Sequence, residues 1–209
     1  GMGSRVRTGQ LPEPPRPLPP TPSWTTDSVV AISMNGAGAP VVAGWSPLAN
    51  VREHRIAVYA EDGENVAAVI APGAAMTVEL QRLPPGQYRA YLSVVDPEGF
   101  ESKRSRELII HVNDVAIADL GASDTNPPAV GGGAGGPQSV WQGARFVAPA
   151  GSVCGLGDAP PAAEGVFATA GAQTLRCVQA GVASNVDLMV RPIAVTMPSG
   201  TTVVAPGQD

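Results

Sequence analysis

Two histidines, two cysteines and two acidic turns are the places where this chain could do chemistry. His54 stands between Glu53 and Arg55, and His111 follows the apolar run Leu108-Ile109-Ile110. A hydrolytic triad needs an imidazole beside a nucleophile and a carboxylate, yet the chain has no Gly-x-Ser-x-Gly elbow and no Cys close in sequence to either His. Both are therefore expected to be solvated surface residues, His54 at a strand entrance and His111 on an outward strand face. Cys154 and Cys177 lack Cys-x-x-Cys spacing and a nearby His, which disfavours zinc and suits one disulfide in an oxidising compartment; a pair of buried free thiols is the alternative. The segments "EDGEN" (61–65) and "DPEGFE" (96–101) are acidic enough to hold calcium weakly. Neither has the alternating oxygen spacing of a dedicated calcium loop, and turn chemistry accounts for both. The glycines of 131–136 follow no close strand and lack the Lys-Ser/Thr end of a phosphate loop. No catalytic residue, metal or cofactor is expected, and the chain reads as not an enzyme.

The bulk composition bounds the remaining classes. Across 209 residues only 15% are charged and the net charge is -5, so the chain has no broad basic field with which to neutralise phosphates; nucleic acid is not expected as a partner. Aliphatic and small residues are plentiful enough for packed cores. No apolar run reaches the length of a membrane span, and no charged-then-apolar leader opens the chain. "GMGS" has the look of a cloning remnant. The segment Pro12 to Pro22 holds seven prolines in eleven residues, which makes it an extended polyproline arm, a spacer or a strap lying on the surface.

Elements that could position any site recur from Ser28 to Asn113 with strand period and almost nothing at helical period. "SVVAISM", "PVVAGW", "HRIAVYA", "NVAAVIA", "MTVELQRL", "YRAYLSV" and "RELIIHV" are separated by "NGAG", "SP", "EDGE", "PG", "LPPG" and "DPEG". Asp-Gly favours a tight hairpin because both residues tolerate positive φ. In "MTVELQRL" the alternation sets Met76, Val78 and Leu80 against Thr77, Glu79 and Gln81; in "YRAYLSV" it sets Tyr88, Ala90, Leu92 and Val94 against Arg89, Tyr91, Ser93 and Val95. Seven short antiparallel strands without crossover helices predict a two-sheet sandwich.

These residues resemble the fibronectin type III pattern, within the wider immunoglobulin-like group of sandwiches: Trp45 before Ser46-Pro47, Ile56-x-Val58, Leu83-x-Pro85-Gly86 leading to Tyr88, and the turn Asp96 to Gly99. The single residue between Gly86 and Tyr88 is shorter than the common animal spacing and is similar to bacterial envelope modules, including repeats that accompany FecR-type proteins. The resemblance implies that Trp45 packs in the core and that the Tyr88 hydroxyl seeks a backbone partner. It covers about Ser28 to Asn113. The sensory core of FecR-type proteins is not visible, and a sensor role is not implied.

After that unit comes "NDVAIADLGASDTNPPAVGGGAGGPQ", with "VAIADL" expected as the first strand of a second unit and the glycines as a loop within it. "SVWQGARFVAP", "SVCGL", "EGVFATA", "QTLRCVQ", "NVDLMVRPIAVTM" and "TTVV" supply further strands. The segment leading to Cys177 faintly resembles the sixth strand of an immunoglobulin domain. Leu175 stands where that family's corner Tyr would be, and no Trp lies between the cysteines. A bridge between neighbouring strands and one between sheets are both open. The expected organisation is an all-β chain with a Pro-rich arm at 1–24, a fibronectin III-like sandwich at 25–114 and a second β-rich, immunoglobulin-like unit at 115–209.

In a fibronectin-like arrangement the third, sixth and seventh strands are neighbours, so Arg55, Tyr59, Arg89, Tyr91, Ile109 and His111 share one outward face. Arg and Tyr are favoured at interfaces, and this face is the candidate site; ordinary cross-strand pairing, or cover by the second unit or the arm, is the competing reading. The expected function is a non-catalytic envelope or secreted module, periplasmic, cell-surface or extracellular, that meets a protein, cell-wall or glycan partner. The alternative is an accessory domain of a larger hydrolase or FecR-type protein, for which exposed Trp residues on a flat face would be the sign.

Overall fold

The computed structural model describes residues 1–6, 8, 9, 11–118 and 138–192. Among them are fifteen strands and no helix. The "TTVV" segment and the glycines of 131–136 lie outside the described residues.

Two short strands, β1 (Met2–Gly3) and β2 (Arg16–Pro17), pair antiparallel in the N-terminal arm. The first sandwich follows: β3 (Ser28–Met34), β4 (Ala39–Gly44), β5 (Glu53–Ala60), β6 (Asn65–Pro72), β7 (Thr77–Leu83), β8 (Gly86–Val95) and β9 (Leu108–Ala118). One of its sheets runs β6-β5-β8-β9, with β3 added parallel to β9; β4 and β7 form the other. Period-two alternation buries one side of each strand. Val41, Ala43, Val78 and Leu80 from one sheet thus meet Ile56, Val58, Leu92, Leu108 and Ile110 from the other around Trp45.

Turn chemistry sets the connections. Gly63 takes φ +88 and the Asp62 carboxylate accepts from the Glu64 N–H, closing the β5–β6 hairpin. Asp96 likewise accepts from the Glu98 and Phe100 N–H groups. Gly73 is fixed by a close approach, since a Cβ there would collide with the Val51 carbonyl oxygen. Tyr88 bonds the Pro84 carbonyl at 2.8 Å, the backbone partner its position implied. Met76 departs from expectation: it lies just before β7 and is 51% exposed, while Val78, Leu80 and Leu83 fill the dry face. A residue outside the ladder is not bound by its alternation.

The second unit contains β10 (Gln138–Trp141), β11 (Arg145–Val147), β12 (Ser152–Leu156), β13 (Glu164–Val166), β14 (Gly171–Gln179) and β15 (Val182–Arg191). One sheet is β10-β15-β14-β12; facing it, β13 and β11 extend the large sheet of the first unit through β9. Phe146, Phe167, Leu175, Leu188 and Val190 fill the space between.

The two units share a strand. Leu108–Val112 pair with β8 while Ala116–Ala118 pair with β11, and β3 runs parallel beside Ile109–Val115. Val115–Ala118 therefore continue β9. The side chains change sides along it. Leu108, Ile110 and Val112 are buried in the first core, and Val115 and Ile117 in the second. Alternate residues face opposite ways, so the two cores lie on opposite faces of one strand, with the change of phase at Asn113-Asp114. β3 repeats the pattern: Ala31 joins the first core, and Ile32 and Met34 the second.

Polar groups secure the crossing point. Asn35, at φ +48, donates its side-chain amide to the Ile117 carbonyl at 3.2 Å and accepts from the Ile117 N–H at 2.7 Å. Asp114 accepts from the Gly36 N–H, and the Asn113 amide donates to Gln179. These bonds let the amide of a turn residue stand in for a missing ladder partner. The architecture is all-β: two sandwiches in tandem with an extended arm.

Candidate interaction face

β5, β8 and β9 are neighbours in that order. Their register sets Tyr59 opposite Arg89 and Arg89 opposite Ile109. Tyr59 and Tyr91 meet edge to face with ring centroids 6.0 Å apart, a geometry that the aromatic quadrupole favours. Arg89 lies 3.9 Å from Glu107, which also accepts from the Tyr91 hydroxyl at 3.4 Å. Arg55 bonds Glu53 and Glu101 at 2.8 Å each, and Ser93 donates to Glu101 at 2.6 Å. The Arg55 guanidinium holds the Glu53 carboxyl below its ordinary value, and Glu53 chiefly raises Arg55 in return.

The face is thus two half-buried tyrosines flanked by guanidinium groups that already have carboxylate neighbours. Such exposed pairs contribute little to stability, but they tie the Arg55 and Arg89 side chains to carboxylates of the same face. The β9 end differs. Ile109 and His111 are half-buried and share a strand side with Val115 and Ile117 of the second core. The face therefore runs toward the second unit at this end and, among the described residues, stays open at β5 and β8.

The face also extends where the sequence reading did not look. Ala68 stands opposite Ala57 and Ile70 opposite Arg55, so the outward side chains of β6 continue the same surface. Ile70 is 67% exposed and Val66 41%. The signal was the alternation in "NVAAVIA", where Ala67, Val69 and Ala71 pack against the first core and the residues between them point away.

The arm docks elsewhere. The Arg16 guanidinium sits 4.0 Å from the Phe100 ring centroid and pairs with Asp96 and Glu98, while Arg5 lies over the same ring. A Cβ on Gly3 would meet Phe100 and Leu18 at 2.7 Å. The turn after β8 is accordingly held by cation–π and ionic contacts with the arm.

His54 corrects an expectation. It is 1% exposed, stacks on Trp45 with centroids 4.7 Å apart, and places Nδ1 3.2 Å from the Pro72 carbonyl. It belongs to the core because it shares strand parity with Ile56 and Val58. Among the described residues its Nε2 has no hydrogen-bond partner, and no carboxylate or hydroxyl bonds the ring. Among the described residues no group of three or more His, Cys, Asp or Glu side chains gathers as metal ligands.

Cys154 and Cys177 are bonded to each other. They are register partners on β12 and β14, so the bridge joins neighbouring strands of one sheet. Trp24 and Trp45 are buried at 3% and 1%, and Trp141 is 43% exposed; a platform of several exposed Trp rings does not form. No helix among the described residues is long and apolar enough to cross a membrane.

No family model matches the chain, and no curated protein matches it. Among solved structures it is similar to the fibronectin(III)-like modules of Clostridium thermocellum CbhA, at 16% identity over 45% of this chain and 98% of that one, TM-score 0.34. The chicken CNTN1 FN1-FN3 domains match at 11% over 90% of this chain and 76% of that one, TM-score 0.35. A tetra-tandem repeat in the extending region of a large adhesion protein matches at 13% over 82% and 50%, TM-score 0.26. Superpositions this loose carry no weight for ligand or partner. Strand order, register and the two facing-sheet cores make this chain an all-β protein of tandem sandwiches.

Proposed function

We propose that the chain is a non-catalytic interaction module that works outside the cytoplasm and meets a protein partner through the outward face of β5 and β8. The observation that carries this reading is the Tyr59–Tyr91 pair, two half-buried rings in edge contact between Arg55 and Arg89. Rigid aromatic area held in place before binding loses little entropy on association, and flanking guanidinium groups supply directional bonds. The Cys154–Cys177 bridge supports an oxidising compartment, periplasmic, cell-surface or secreted. A protein partner is favoured over a glycan because the rings are tyrosines in edge contact rather than a flat row of Trp faces.

The test is a paired substitution, Tyr59→Ala with Tyr91→Ala, assayed by capture of partners from the envelope fraction of the source cells. Capture should fall at least about tenfold, the loss of roughly 1.4 kcal/mol, while the circular dichroism spectrum stays that of the parent. Equal capture by the folded double variant would remove this face from the function.

A further inference from the structure

The large sheet ends at β6, whose described partner is β5 alone. The direction of its free bonding groups follows from one contact. The Gly73 N–H bonds the Arg52 carbonyl, and in an antiparallel ladder bonded pairs alternate with unbonded ones. Ala71, Val69 and Ala67 are then the residues bonded toward β5, opposite His54, Ile56 and Val58. Ala68 and Ile70 aim their N–H and C=O groups at the open edge.

Natural edges carry deterrents such as charge, an internal Pro or a covering segment. Asn65 to Ala71 has no charge, the one proline of β6 is its last residue, Pro72, and the bulge at Val66 sits at the hairpin end, leaving Ala67 to Ala71 in regular register. Other strand ends differ. β7 carries Glu79 and Arg82. Cys154 of β12 exchanges bonds with Ala162, and Thr25 bonds the Gly44 carbonyl beside β4. β6 is an uncharged edge with Val66, Ala68 and Ile70 outward.

We infer that β6 pairs antiparallel with β6 of a second copy of this chain, joining two large sheets edge to edge across a twofold axis. The occupant is a second copy because a strand with no charge is complementary to itself in reverse. With Ala68 opposite its own counterpart, Val66 faces Ile70 of the other copy and Ile70 faces Val66, an apolar pair on each side of the axis. The same reversal brings the acidic turn at Glu61, Asp62 and Glu64 near the far end of the partner strand. There Arg52 and Arg55 share Glu53 and Glu101, so the turn meets a balanced end and not an acidic one. The inference does not depend on the tyrosine face having a partner, although pairing would place two such faces on one continuous surface.

One added strand is a small interface, so the dimer is weak and concentration-dependent. Sedimentation equilibrium of the full chain up to about 100 μM should give a mass rising from one chain toward two. Ala68→Pro removes an edge N–H without touching the bonds to β5, and Ile70→Lys sets a charge against the apolar Val66 of the other copy on each side of the axis. Each should return the mass to one chain, with circular dichroism confirming the fold; either variant suffices if the other fails to fold. A parent chain that stays monomeric throughout overturns the inference, as does a dimer that both folded variants retain. A monomeric parent that binds a synthetic peptide of Asn65 to Pro72 would assign the edge to foreign strands and overturn it equally.

Discussion

The imidazole of His54 lies 4.7 Å from the Trp45 ring inside the first core, and Trp45 in turn donates its Nε1–H to the Ala75 carbonyl. Together they close one end of the first sandwich, where Trp24 meets Trp45 edge-on at 6.1 Å. A histidine used this way is a flat packing piece with a polar edge.

His54→Ala should therefore behave as a core truncation and cost about 2–3 kcal/mol. Urea unfolding followed by Trp fluorescence measures it. A surface histidine would leave the midpoint where it was.

Asn35 separates two contributions at the junction of the units. Asn35→Gly keeps the positive φ and removes both bonds to Ile117, at a cost of about 1–3 kcal/mol for leaving backbone groups unpaired. Asn35→Ala loses the same bonds and adds roughly 1 kcal/mol for a left-handed alanine. The thermal midpoints should rank parent, then Gly, then Ala; the opposite order of the two variants would mean that backbone strain plays no part.

Removing the disulfide should destabilise by about 3 kcal/mol, the loop-closure figure for a separation of this size. Cys154→Ala with Cys177→Ala is the suitable variant, because both side chains are buried and Ala leaves no polar group unpaired. Calorimetry of the double variant, or of the parent under reductant, gives the shift.

Burial raises Tyr88 above its ordinary 10.0, so the fold favours the neutral phenol. The linked stability is present in full below the unfolded value and is lost as pH rises through the higher folded one. The parent should lose stability in the alkaline range above about pH 10, and Tyr88→Phe should flatten that loss. At neutral pH the same variant costs about 1 kcal/mol for the missing bond to Pro84. Melting curves across the alkaline range test both statements.

Several features were legible in the residues because they depend on local alternation and turn chemistry. The strands from Ser28 to Val112, the Asp62-Gly63 hairpin and the burial of Trp45 and Tyr88 are of this kind. His54 was legible too: its parity with Ile56 and Val58 marked it for the core, and the charged neighbours Glu53 and Arg55 concealed this. They point outward from the same strand. Beside Val95, the turn after β8 folds back to bridge Glu101, which buries a side chain that alternation had placed outward.

The sequence alone determined a β-rich chain with period-two strands, a cysteine pair able to bond and an arm too rich in proline for a regular core element. Tertiary structure decided which residues those strands bring together. "LIIHVNDVAIA" carries a slip in its alternation at Asn113-Asp114 that, taken locally, ends one strand and begins another. In the fold the backbone continues as one strand and the apolar side chains change faces, because a second core waits on the opposite side of the sheet. Local pattern records which side of a strand is dry; only the packing of distant segments determines what dries it. For the same reason the disulfide's place within one sheet, and the open edge at β6, depended on pairing between strands far apart in the chain.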